Sequence, residues 1–507
     1  MSVNALNIKF IPMLPTSVGT LQQPSLVIGL LIVGLCWLSR VYRPVDTSRP
    51  PLLRHWIPWL GPAFEVGKDP DGFFTSTSKR LGPIFRVELL GQERIFVTSP
   101  SMISTVYRDS QSYDFNEIRL DIGEQVFSIS ATFGRQPYMV DHFMPAMHRM
   151  ILPSNLKPII TAYIDNAYDC IRSSAAELHG SSVPLMSLII PPAYHAAAHA
   201  AFGPGFPVGD SFPFFRTFDH SFHLLAANLP RWLLSEPLDA WEKLVDVVES
   251  YIDHMAEDDA EEAGALVRLT LQGREAAEWT NREVASLLSS LLWALQANAV
   301  FAAYWLFALQ LQQSEGLAPL IAEVDNARRL WQDTHPSTSL GREFFKFLGS
   351  SSSNALPLVT SAIRETLRYT SQSYSIRRVM KPVQLGGYDL RVGEEVVCAT
   401  RQAHIDDEIH PNAAAFDIRR YLEAPKPIKD GRLVANHSMA FGGGVSMCAG
   451  RHFAMAELKM FVAVMLTYAT VEADPSSSSR PEIQWERKQG IMQPKGDLKV
   501  IVRKRQL

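Results

Sequence analysis

Phe441-Gly-Gly-Gly-Val-Ser-Met-Cys448-Ala-Gly450-Arg-His-Phe-Ala454 is a glycine-rich loop that carries one cysteine and runs straight into a helical pattern. A thiolate at the N-terminus of a helix gains from the helix dipole and from amide N–H groups that lack an intrahelical partner. Glycines let backbone approach a flat ligand face that a Cβ would obstruct. A lone thiolate held this way suits a haem iron, onto which it pushes electron density that favours O–O cleavage. The aromatic residue, the glycine run and the following helix agree with that reading. An isolated Cys-x-Gly would read as a free cysteine after a turn.

The rest of the chain fits one large unit around this loop. It has 507 residues, a hydrophobic share of 47% and a formal net charge of −4. Length alone suggests several domains of roughly 100–200 residues, yet no Gly/Ser linker or shift of composition marks a boundary between residues 50 and 500. The apolar share supports a substantial core, and the charge gives no reason to expect nucleic acid. Cys36, Cys170, Cys398 and Cys448 are spread widely, without metal-finger spacing. That pattern argues for a reducing compartment and against a disulfide framework.

The N-terminus carries a membrane signal. Leu26 to Leu38 is wholly apolar, and the stretch from Val18 to Ser39 reaches the roughly 20 residues that span a bilayer, with Gln22, Gln23 and Pro24 included. Arg40 and Arg43 come directly after it, while Lys9 alone precedes it; this bias puts the C-terminal body of the chain in the cytosol. Residues 1–43 are expected to be a single-pass anchor and 44–507 the catalytic domain. Arg49-Pro-Pro to Gly61-Pro62 is proline-rich and stiff. Gly82 to Thr98 reads as a hairpin, and 155–178, 239–258, 281–313 and 355–370 mix apolar and charged residues at helical spacing.

Two further segments matter. Glu365-Thr-Leu-Arg368 puts a carboxylate and a guanidinium three apart on one helix face, where they can pair. Leu292-Trp-Ala-Leu-Gln-Ala-Asn298-Ala-Val-Phe-Ala-Ala-Tyr-Trp305 is an apolar helix with one asparagine.

Together these motifs resemble the cytochrome P450 family over roughly residues 45–500. Phe441, Gly444, Cys448 and Gly450 match the haem signature, while Ser446 stands where most members place Arg or His to pair with a haem propionate. The resemblance implies a mainly α fold with a small β-rich domain, haem b between two long helices, and Cys448 as the axial ligand to iron. It makes Glu365, Arg368 and Arg420, with Arg419 as the runner-up, a structural lock behind the loop. Arg378 and Arg149 become the expected propionate partners. Asn298 takes the place of the usual alcohol and Ala297 that of the usual acid. The wording Leu-Trp-Ala-x-Gln-Ala-Asn is similar to the branch that holds sterol 7α- and 12α-hydroxylases and prostacyclin synthase. The expected activity is therefore monooxygenation of a lipophilic small molecule (sterol, terpenoid or other specialised metabolite). Dioxygen and an NADPH-cytochrome reductase would take part, at the endoplasmic reticulum membrane. The alternative is a synthase or isomerase that rearranges a peroxide without external electrons. Phe212 to Leu225, rich in aromatics, is expected to line an apolar pocket or to face the membrane.

Overall fold

The mixed spacing read between residues 155 and 370 is expressed as a stack of helices. The computed structural model describes residues 46–57, 60–227, 229–255, 263–338, 340–350, 355–429, 431–484 and 490–506. The expected anchor, 1–43, lies outside the described residues. The helices that frame the site are α1 (Met144–Met150), α2 (Lys157–Glu177), α3 (Leu185–Phe202), α4 (Val208–Ala226) and α5 (Ser235–Asp253), followed by α6 (Asn281–Gln296), α7 (Ala299–Leu311), α8 (Pro357–Thr370) and α9 (Arg451–Tyr468).

Local chemistry sets where these helices begin. Thr280 and Glu283 close a reciprocal capping box at the start of α6. Pro357 occupies the first turn of α8, and the Glu323 carboxylate reaches across to accept from Leu358 N at 2.7 Å and Val359 N at 2.8 Å. It thereby satisfies donors that the helix itself cannot. The helix expected over 281–313 is broken at Ala297 and Asn298. Ala297 N still donates to Trp293 O and Ala302 N to Asn298 O, both at 2.9 Å, so the interruption is short. Its cause is the Asn298 side chain, whose Oδ1 accepts the backbone N–H of Ile491 at 2.8 Å and ties the helix to a distant strand.

Asn281–Leu311 is long and apolar enough to cross a membrane, but it is the core helix. Every residue from Val300 to Ala308 is buried, as expected of a helix that is apolar all round. α3, α8 and α9 pack against α7.

The β-rich part is a six-stranded sheet. It contains β1 (Leu52–Leu53), β2 (Ile84–Leu89), β3 (Gln92–Val97), β4 (Tyr113–Asp114), β5 (Tyr374–Val379) and β6 (Glu395–Ala399) in the order β1-β2-β3-β6-β5-β4. β2 and β3 form the expected hairpin, turning through Leu90 and Gly91 at positive φ. β6 then joins β3 in parallel and β5 antiparallel. The sheet thus sews the first hundred residues to the segment after α8. Ser48–Leu507 folds as one compact unit. Cys170, Cys398 and Cys448 are free thiols.

Candidate active site

The cysteine loop is shaped by its own hydrogen bonds. Two short 3-10 turns, Met439–Phe441 and Gly444–Ser446, fold it. Cys448 N then donates to Phe441 O at 2.9 Å and closes the loop. Phe441 is half-buried against the main core. Some of the glycines have a purpose within the protein itself. Gly442 and Gly444 sit at φ +71° and +65°, which only glycine adopts without cost. A Cβ on Gly444 would come within 2.0 Å of the Tyr107 carbonyl oxygen, and one on Gly443 within 2.3 Å of the Tyr107 ring. These two residues let the loop lie on Tyr107. Gly442 and Gly450 face open space: a Cβ on Gly442 would meet nothing within 4 Å, and one on Gly450 only the Cys448 sulfur at 3.9 Å.

Cys448 is reached by solvent yet walled by protein. That enclosure pushes its thiol pKa up, while the amides of Gly450 and Arg451 and the Arg451 charge pull it down. A metal cation bound at the sulfur would favour the thiolate further.

Behind the loop is a buried lock. Arg368 meets the Glu365 carboxylate in two parallel bonds of 2.7 Å, and Arg420 Nε reaches the same carboxylate at 3.0 Å. Glu365 and Arg368 are 0% and 1% exposed, so every charge in the group must be met within the protein. Arg368 also donates to the carbonyls of His404, Ala413 and Ala415, and Arg420 to those of Pro411, Asn412 and Ala415. The runner-up, Arg419, points outward and pairs with Glu315 at 3.0 Å. His404, which no sequence motif singled out, links the lock to the loop. Its Nε2 accepts from Met439 N at 2.9 Å, and its Nδ1 lies 3.2 Å from Ser371 Oγ.

One stripe of the core helix is open. Ala294 and Asn298 are exposed and Leu291 and Leu295 half-exposed, between residues that are otherwise mostly buried. α9, which leaves the cysteine loop, packs on α7. An open apolar stripe and an open, walled thiol are what a flat apolar ligand bound through sulfur requires, and the residues present fit haem. Asn298 adds orientation. Ile491 N–H can only donate, so the amide oxygen is the atom it holds, and the Asn298 NH2 is left to donate to whatever lies beside it. Gly490 makes room for this contact, since a Cβ there would meet Asn298 Oδ1 at 1.9 Å.

The arginines divide by strand alternation. Arg378 pairs with Asp121 at 3.0 Å and Glu395 at 3.2 Å, so its charge is already answered by carboxylates rather than directed at the loop. Arg377, one residue earlier, faces the other way. It is 4% exposed, with its guanidinium over the rings of Tyr107 at 5.3 Å and Phe115 at 5.1 Å. It donates hydrogen bonds to Ser375 Oγ and Ile376 O, and no carboxylate lies within ion-pair distance among the described residues. Arg149, on α1, is exposed and likewise has no carboxylate partner among the described residues. The aromatic segment on α4 turns inward: Phe215 and Phe218 are 0% exposed, and Phe222 stacks on Trp293 with ring centres 4.1 Å apart. A water-sized cavity of about 20 Å³ lies there, lined by Asp219, Phe222, His223, Trp293, Ala297, Ile491 and Gln493. A larger cleft of about 770 Å³, at Asp210, Asp246, Tyr251 and His254, contains none of the expected site residues.

The fold and the sequence both have known counterparts. A family model described as Cytochrome P450 matches residues 50–502. Cytochrome P450 7A1 from Oryctolagus cuniculus is 25% identical, over 93% of this chain and 97% of that protein. Cholesterol 7-alpha-monooxygenase from Cricetulus griseus is 24% identical, over 94% and 97%. Prostacyclin synthase from Homo sapiens is 25% identical, over 90% and 94%. Among solved structures, the cytochrome P450DA heme domain superposes with a TM-score of 0.68 at 16% identity, over 92% of this chain and 99% of that one. A retinoic acid bound cyanobacterial CYP120A1 gives 0.66 at 19% identity, over 90% and 99%.

Proposed function

The chain belongs to the cytochrome P450 family and is a haem b enzyme, a haem-thiolate monooxygenase acting on lipophilic molecules; on that premise we propose how its own residues serve that activity. Cys448 would hold the haem iron through its sulfur. Glu365, Arg368 and Arg420 keep the segment behind it rigid, and Arg377 is the buried cation that would hold a haem propionate, with Arg149 as a second, exposed one. When bound, the haem supplies dioxygen activation with electrons from a redox partner. Phe441 and Gly450 shape the two approaches to the sulfur. Asn298 donates a hydrogen bond into the open stripe and orients an oxygen atom there. The observation that carries this reading is the open, walled Cys448 thiol at the start of a helix that packs on the core helix, whose stripe of Ala294 and Asn298 is also open.

The substrate is a rigid lipophilic molecule of sterol or terpenoid type, in keeping with relatives named for cholesterol oxidation. Residues 1–43 anchor the 44–507 catalytic domain at the endoplasmic reticulum membrane, with an NADPH-cytochrome reductase as electron donor. One observation favours a second reading. Asn298 offers N–H donors and Ala297 beside it no acid, which also suits rearrangement of a peroxide substrate. Reduction with dithionite followed by carbon monoxide tests the thiolate ligand, and a spectrum without the thiolate-type shift would reject it. NADPH-dependent product formation with reductase supports monooxygenation, whereas turnover of a peroxide substrate alone supports rearrangement.

A further inference from the structure

α4 meets the core helix on both sides of its open stripe. Asp219 accepts Trp293 Nε1–H at 3.0 Å and Gln493 Nε2–H at 2.7 Å, and Phe222 stacks on the same tryptophan. One turn earlier on α4, the Arg216 guanidinium lies over the Phe301 ring, 5.2 Å from its centre. Trp293 precedes the stripe Ala294–Asn298 and Phe301 comes after it, so the part of α4 between Arg216 and Phe222 overhangs the opening.

Arg216 is unusual among the cations of this region. It is set into the protein, and burial works against its charge. Asp219 acts on it through space but lies beyond ion-pair distance, its oxygens already taken by Trp293 and Gln493. None of the guanidinium N–H donors makes a hydrogen bond to a described residue, and the group lies over the face of Phe301. A planar fork of five donors held over an aromatic ring is pre-organised for an oxyanion. Its nitrogens keep access to solvent, and an anion arriving there would form charge-assisted bonds with donors that no carboxylate has taken. The bland alternative, an arginine whose stem merely covers Phe301, does not need the charge.

We propose that Arg216 determines specificity by binding an anionic oxygen group on the substrate, which makes the preferred substrate a lipophilic acid rather than a neutral lipid. This deepens the function proposed above and rests on it. The open stripe of Leu291, Ala294 and Leu295 takes the apolar body, while the carboxylate end meets the guanidinium.

The test uses the purified full-length holoprotein and one matched probe pair, the steroid acid 5β-cholanic acid and its methyl ester, titrated by the optical change that accompanies displacement of water from haem iron. Wild type should bind the acid about tenfold or more tighter than the ester, as expected for a charge-assisted bond. Arg216→Gln should abolish that preference and leave ester binding unchanged, and Arg216→Lys should retain part of it. Equal binding of the two probes by wild type overturns the proposal without any variant. So does a preference that survives in Arg216→Gln, or binding of neither probe. A carbon monoxide difference spectrum on every sample separates this from failure of the Cys448 assignment: a normal thiolate spectrum with no acid preference rejects Arg216 alone.

Discussion

Asn298 does two things with one amide. Its oxygen is spent on Ile491 N–H, which pins the break in the core helix to a strand almost two hundred residues away. Its nitrogen is what remains for chemistry. Asn298→Asp should keep the Ile491 contact and lose the donors, whereas Asn298→Leu loses both. Both variants should cut product formation, by about 10²–10³ for loss of a positioned donor near developing charge. Only Asn298→Leu should also lower the melting temperature, with a part-buried hydrogen bond worth about 1 kcal/mol removed. Full coupled turnover in Asn298→Asp would show that the amide donors have no part in the chemistry. Cys448→Ser gives the plainer outcome: no thiolate-type carbon monoxide spectrum and no turnover. A thiolate spectrum in that variant would end the assignment. Cys448 was legible in the sequence because loop and ligand are one contiguous segment. Arg377 was not. A strand places successive side chains on opposite faces, so Arg377 and Arg378, one residue apart, carry their charges in opposite directions, and a motif match cannot choose between them.

At the scale of elements, the lock around Glu365 is all-or-nothing. Arg368→Ala leaves a buried carboxylate facing Arg420 alone, which should destabilise the protein by about 3–5 kcal/mol. Haem content and expression should then fall together; a soluble, haem-loaded Arg368→Ala protein would contradict this. His404 and His410 add a pH dependence. Both are buried beside arginines; burial, then those charges, holds His404 well below the ordinary imidazole value and His410 at about 4. An unfolded histidine takes up its proton near pH 6.5, whereas folded His410 resists until about 4. Stability is therefore full above pH 6.5 and falls as pH drops toward 4, by up to about 3 kcal/mol from His410 alone. Thermal unfolding measured from pH 7.5 to 4 should show this slope, and His410→Phe should flatten it. The pair Glu365 and Arg368 could be read from helical spacing. Arg420 could be placed only by resemblance, and His404 not at all, because its bond to Met439 spans 35 residues and leaves no local pattern.

For the whole molecule, removing residues 1–43 should release much of the protein from membranes while haem incorporation persists, since every residue of the proposed site lies beyond it. Fractionation together with the carbon monoxide spectrum tests this, and a folded but haem-free truncation would contradict the division at residue 44. Helix positions were readable across the body because each is a local periodicity. The break at Ala297–Asn298 was not, since its cause lies on another strand.

The mixed sheet also sets a timetable for synthesis. Arg94 on β3 reaches its partner Glu395 on β6 across 301 residues of chain. At roughly 5–20 residues per second, the hairpin β2–β3 waits on the order of 15–60 s on the ribosome with its inner edge unpaired. Such an edge is a template for wrong pairing. The cysteine loop emerges later still, so haem capture comes near the end of translation, after most of the helical body is available to receive it. Nascent chains halted before β6 should therefore be prone to aggregate and unable to retain haem, and those released beyond α9 should be competent for both.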